Sequence, residues 1–97
     1  MANALVSIQI IPKAQSSEEL YSLVDAAIEI IDQAGVKYEV HPLETTMEGE
    51  LSTLLSVIEK MNNKMVELGS PNVISQVKIL FQPKGITMDT LTEKYRP

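Results

Sequence analysis

Hydrophobic residues in this chain switch repeatedly between two periods, and the order of the switches leaves few folds open. From Ala4 to Ile11, ALVSIQII is rich in β-branched residues, alternates with a period of two and is closed by Pro12, which is the pattern of a strand. Alternation puts Ala4, Val6, Ile8 and Ile10 on one face and Leu5, Ser7, Gln9 and Ile11 on the other. Ser16-Ser17-Glu18-Glu19 then forms an S-x-x-E capping box, which opens a helix by satisfying free backbone donors. Leu20, Leu23, Val24, Ala27, Ile28 and Ile31 follow at helical spacing, and Gly35 marks the stop. Val36 to His41 alternates again, with Val36, Tyr38 and Val40 expected to face the helices. Pro42 makes a turn, and residues 43–49 supply the return strand and the entry to a second helix. In that helix Leu51, Leu54, Leu55, Ile58, Met61, Met65 and Leu68 form one apolar stripe, ended by Gly69-Ser70-Pro71. Val73 to Phe81 is the last strand, and Thr87 to Tyr95 is expected as a short helix or tail.

The order is β-α-β-β-α-β. Two right-handed β-α-β crossovers in one sheet produce the ferredoxin-like α+β sandwich: a four-stranded antiparallel sheet with two helices on one face. Ninety-seven residues fit one such domain, with room for one core and little for a deep private cavity.

The face away from the helices is expected to carry Leu5, Ser7, Gln9 and Ile11 from the first strand and Ile74, Gln76, Lys78 and Leu80 from the last. Four large aliphatic side chains there call for cover by another chain. An apolar rim around Ser and Gln also describes a small-molecule site. The two readings coincide if the ligand lies at or near a subunit interface. The plain alternative is a set of solvated sheet positions. Which of Thr45 and Thr46 shares that face depends on strand register, since a bulge exchanges them.

Composition narrows the functional classes. Thirteen acidic against eight basic residues give a net charge of −5, and the lysines are scattered, so nucleic acid is not an expected partner. A cationic ligand is compatible with that charge, although ordinary solubility explains it equally well. The absence of cysteine removes disulfides and thiolate metal sites. No apolar run approaches the ~20 residues that span a bilayer, and the Met-Ala-Asn-Ala-Leu start lacks the features of a signal peptide. A cytoplasmic protein without membrane attachment is the expectation. His41 is the only histidine and has no catalytic motif around it. Glu39 and His41 at i,i+2 are too few ligands for zinc. Glu44 and Glu48 form a possible carboxylate pair, and the four glycines are isolated. A binding module without a cofactor is favoured over an enzyme.

The segment GVKYEVHPLETTMEG at residues 35–49, with VSIQIIP at 6–12 and ISQVKI at 74–79, resembles the thiamine-binding protein family of small prokaryotic ferredoxin-like proteins. Its most specific part is Y-E-x-x-P-L-x-T-x-x-E-G from Tyr38 to Gly49, and the likeness extends to TLTEKY at 90–95. The resemblance implies homo-oligomers, dimers or tetramers, assembled through the sheets. It also implies binding of thiamine or its hydroxymethylpyrimidine portion without catalysis. Thr45 and Glu48 match the family's T-x-x-E pattern, Ser7 and Gln9 its polar positions in the first strand, and Gln76 is carried over beside them. Thr46 joins the ligand-binding set because register decides between it and Thr45. The chemistry agrees: Gln amides and Ser or Thr hydroxyls suit the edge of an aminopyrimidine, and a carboxylate such as Glu48 suits a thiazolium cation. The expected role is carrier, buffer or sensor. The alternative is a regulatory or assembly module whose open sheet face docks a partner without any small ligand.

Overall fold

The computed structural model describes residues 2–96. Its elements are β1 (Ala4–Pro12), α1 (Ser17–Gln33), β2 (Lys37–Val40), β3 (Thr45–Gly49), α2 (Leu51–Glu67), β4 (Val73–Phe81) and α3 (Met88–Thr92), followed by a 3-10 turn at Glu93–Tyr95. The strands form one antiparallel sheet in the order β2-β3-β1-β4. This is the expected ferredoxin-like α+β arrangement, with the most apolar strand held between two neighbours.

Register assigns every side chain to a face. Val6 lies opposite Met47, Ile8 opposite Thr45, and Ser7 opposite Thr46. The inner set, Val6, Ile8 and Met47, packs under Leu23, Ala27 and Ile31 of α1 and Leu54, Val57, Met61 and Met65 of α2. All ten are nearly inaccessible, with Met47 at 0% exposure. At this period of two, Thr45 points to the helices and Thr46 to the opposite face.

The helix starts show how local chemistry sets boundaries. Ser16 Oγ accepts from the Glu19 N–H at 3.1 Å, while Glu19 Oε2 accepts from the Gln15 N–H at 3.2 Å. The reciprocal bond therefore lands one residue ahead of the N-cap. Ser16→Ala is expected to cost about 0.5–2 kcal/mol, read as a lower urea midpoint at unchanged slope. Gly35 follows α1 with φ +75°, a conformation that glycine adopts without a Cβ penalty. In α2 the N-cap residue, Glu50, makes no side-chain capping bond to the helix. Instead, Asn3 Oδ1 accepts from the Leu51 N–H at 2.9 Å, and Asn3 Nδ2 donates to Glu50 at 2.6 Å. The residue just before β1 thus caps a helix 48 positions away.

One expectation is corrected. The sheet face away from α1 and α2 is not bare, because the C-terminal segment crosses part of it. Ile86 and Met88 pack on Leu5, and all three are buried. Glu48 Oε1 accepts from the Met88 N–H at 2.7 Å, so its carboxylate starts α3 instead of waiting for a ligand. Asp89 is bridged by Lys37 and by Arg96, each at 2.8 Å, and Arg96 also reaches Glu39 at 3.2 Å.

The hydrogen bond from Lys37, reinforced by Arg96, holds the Asp89 carboxyl below the ordinary carboxylate range, and Asp89 in turn raises Lys37. A lowered folded-state pKa gives stabilisation that is complete above the unfolded value and is lost as pH falls through the folded one. The α3 strap is therefore expected to stay docked from neutral pH down to about pH 4 and to loosen only below it. Amide NMR of residues 86–96 during an acid titration checks this. Loosening already in the range where histidine titrates contradicts it.

Candidate functional site

β3 pairs with β1 only as far as Ile8 and Thr45, so Gln9, Ile10 and Ile11 beyond that point have β4 on one side and no strand on the other. The β2–β3 turn, closed by the His41 N–H donating to the Glu44 carbonyl at 2.9 Å, stands beside this gap. Two hollows result, one on each face of the sheet, and they share Gln9, Leu43 and Glu44 as a common wall.

The first hollow, ≈ 350 Å³, lies between α1 and the end of the sheet. Ile8, Ile10, Leu20, Val24, Ile28 and Met61 make it apolar. Thr45 is the buried polar residue of its lining. It is 7% exposed, and among the described residues nothing hydrogen-bonds its hydroxyl. Among the described residues no side-chain polar atom is both sealed from solvent and unpaired, so the Thr45 hydroxyl keeps an opening, and it lines this hollow. A polar ligand group entering the hollow has this hydroxyl as a hydrogen-bond partner. Tyr21, His41, Gln9 and Glu44 complete the lining.

The second hollow, ≈ 450 Å³, lies on the opposite face, between Ser7, Gln9, Gln76, Lys78, Leu43 and Glu44. Gln9 stands directly opposite Gln76 across β1 and β4, and Ser7 lies between Lys78 on one side and Thr46 on the other. The side chains of Ser7, Gln9, Thr46 and Gln76 have no hydrogen-bond partner among the described residues. The trough continues toward α3, where Leu5, Thr46, Leu80 and Leu91 line a further ≈ 410 Å³. Lys78 Nζ lies 3.8 Å from Glu44 Oε2, and the Lys78 side chain is 82% exposed.

The six residues expected from the sequence are thus divided three ways. Ser7, Gln9, Thr46 and Gln76 share the open face, Gln9 also borders the hollow under α1, Thr45 faces that hollow, and Glu48 is held by α3. Glu44 was paired with Glu48 in the sequence reading. The structure instead brings it to Lys78 and to both hollows. Leu43, Lys78 and Tyr21 are lining residues that had no assigned role. The available signal was the alternation Glu44, Thr46, Glu48, which puts Glu44 on the open face beside Lys78.

His41 Nε2 is 3.5 Å from Glu39 Oε2, with both side chains partly exposed. Among the described residues no group of three or more His, Asp or Glu side chains converges as metal ligands. No helix among them is long and apolar enough to cross a membrane.

Comparison with known proteins gives a consistent answer. The UPF0045 protein CPE1503 of Clostridium perfringens is 47% identical over 91 residues, covering 94% of this chain and 95% of that protein. A solved structure from Bacillus cereus, a DUF77 domain of unknown function, superposes with a TM-score of 0.90 at 41% identity, covering 99% of this chain and 93% of that one. A Thermotoga maritima protein, assigned provisionally to thiamine biosynthesis or salvage, superposes with a TM-score of 0.87 at 32% identity over 97% of this chain and 99% of its own. Residues 6–96 match the family described as "Thiamine-binding protein". With that match spanning both hollows and every strand, the chain belongs to the thiamine-binding protein family.

Proposed function

We propose that this protein binds thiamine or its hydroxymethylpyrimidine portion without transforming it, as a cytoplasmic carrier, buffer or sensor that works as a homo-oligomer. The observation that carries the reading is Thr45: a residue nine-tenths buried, whose hydroxyl has no partner among the described residues and faces a ring-sized apolar hollow. A flat aminopyrimidine fits such a place, with its apolar faces against Ile8, Ile10 and Val24 and one polar edge on Thr45. The hollow is not a deep private cavity. It opens at the end of the sandwich, where Gln9 and Glu44 wait at the shared wall.

With Glu48 engaged by Met88, Glu44 is the carboxylate available to a thiazolium cation. Ser7, Gln9, Thr46 and Gln76 then supply hydrogen bonds along the open face. Neutral bonds contribute about 0.5–1.5 kcal/mol each and charge-assisted ones about 1.5–3. A few of these with ring burial reach the ~8 kcal/mol of a micromolar complex.

Exposed apolar side chains on β4 support the oligomer. β4 is an edge strand of nine residues, and Ile74, Ile79, Leu80 and Phe81 are 43–60% exposed. An edge of this kind invites a second copy. If assembly were the whole function, the protein would oligomerise and ignore small cations.

Isothermal titration calorimetry with thiamine and with hydroxymethylpyrimidine tests the reading. Saturable heat with micromolar affinity is expected. The absence of both heat and a thermal shift at millimolar ligand would rule the reading out and leave the assembly reading.

A further inference from the structure

Glu44 and Lys78 place opposite charges side by side at the wall shared by the two hollows, and neither sequence motif nor family description gives them a role. We infer that this pair selects a zwitterionic form of the ligand: a cationic heteroaromatic ring that carries a short anionic arm, such as a phosphate monoester. The inference rests on the function proposed above and specifies which chemical form the site prefers.

The positions of the two charges set this preference. Glu44 borders the hollow under α1 as well as the open trough, whereas Lys78 lines only the trough. A ring seated against Thr45 and leaving past Gln9 therefore meets the carboxylate first and the ammonium beyond it. Their mutual contact is long, 3.8 Å, and the lysine is almost fully in water, so each partner gives it up easily. A ligand bearing a cation alone would take Glu44 and leave its positive charge facing Lys78. An anion alone would take Lys78 and leave its negative charge facing Glu44. A cation followed by an anion satisfies both, in the order in which the site presents them.

The donors around Lys78 complete the match. The Ser7 hydroxyl lies directly across the ladder from Lys78, and Gln9 lies across from Gln76 in the next pair on that face. These side chains have no partner among the described residues, and a hydroxyl, two amides and a flexible ammonium are suited to phosphate oxygens. Leu43 borders the same trough.

Calorimetry on the full-length protein at low ionic strength, with thiamine and thiamine monophosphate as probes, tests this directly. The monophosphate is expected to bind about ten-fold tighter or better, a difference that shrinks as salt screens the exposed charges. In Lys78→Met the ratio of the two affinities should fall to about one. In Lys60→Met, on the exposed side of α2, it should keep its wild-type value. If thiamine binds but the monophosphate binds equally or more weakly, the inference fails and the proposed function survives. If inorganic phosphate binds as tightly as the monophosphate, the trough is merely an adventitious anion site, and the inference fails as well. If neither thiamine compound binds, the function itself is wrong and the inference goes with it.

Discussion

Thr45→Val should weaken pyrimidine binding while making the empty protein more stable. The substitution keeps side-chain volume and removes one hydroxyl. On the binding side, a ligand group that pairs with that hydroxyl is left unsatisfied in an apolar hollow, at a cost of about 1–3 kcal/mol. That corresponds to roughly a 5- to 150-fold loss of affinity. On the folding side, Thr45 is 7% exposed and its hydroxyl has no partner among the described residues, so its removal breaks no internal hydrogen bond. A gain of up to about 1 kcal/mol is expected. Calorimetry and urea denaturation of the same variant read the two signs separately. A residue with a purely structural role would lose stability and leave affinity unchanged.

Placing charge on the β4 edge should separate the proposed oligomer into monomers. Ile79 and Phe81 lie on the helix-facing side of β4, yet they are 48% and 51% exposed; α2 meets β4 nearer its start, where Ser75 Oγ donates to Asn62 Oδ1 at 2.9 Å. In a two-fold interface each substitution counts twice. Burial of a large apolar side chain contributes about 1.5–3 kcal/mol. Ile79→Lys with Phe81→Lys is therefore expected to weaken self-association by at least about 100-fold. Light scattering should move from a multiple of the 10.7 kDa chain mass to the monomer value. Wild type that already scatters as a monomer at high concentration contradicts the proposed assembly.

Fold order was legible because periodicity and punctuation agreed. The Ser16 cap, the stop at Gly35 and the bounds of β4 were readable along the chain, as were Leu54, Met61 and Met65 of the α2 stripe; Leu55 and Leu68, expected on that stripe, are 44% and 47% exposed, and Val57 is buried instead. What was not legible depended on contacts between distant positions. Nothing local to Asn3 announces that it caps α2. Nothing in Lys37, Glu39, Asp89 and Arg96 announces one ion cluster, because its members come from β2, α3 and the last turn.

The site shows the same division. Ser7 and Gln9 were readable as open-face residues from alternation alone. Thr45 and Thr46 were not separable, since one register step exchanges them and only the pairing of Ile8 with Thr45 decides. Glu48 looked available because the strap that occupies it lies 40 residues further on. The hollow under α1 exists because β3 stops short of the end of β1, a difference in strand length that composition does not reveal.

The most direct test of Thr45 as a ligand contact is methyl NMR of the isoleucine-labelled protein titrated with hydroxymethylpyrimidine. Ile8, Ile10 and Ile28 line the hollow under α1, whereas Ile74 and Ile79 lie on β4. Progressive, saturable shifts of the first three methyls are predicted, with Ile74 and Ile79 much less affected. Saturable shifts confined to Ile74 and Ile79, with Ile8, Ile10 and Ile28 unmoved, would contradict that placement of the ring.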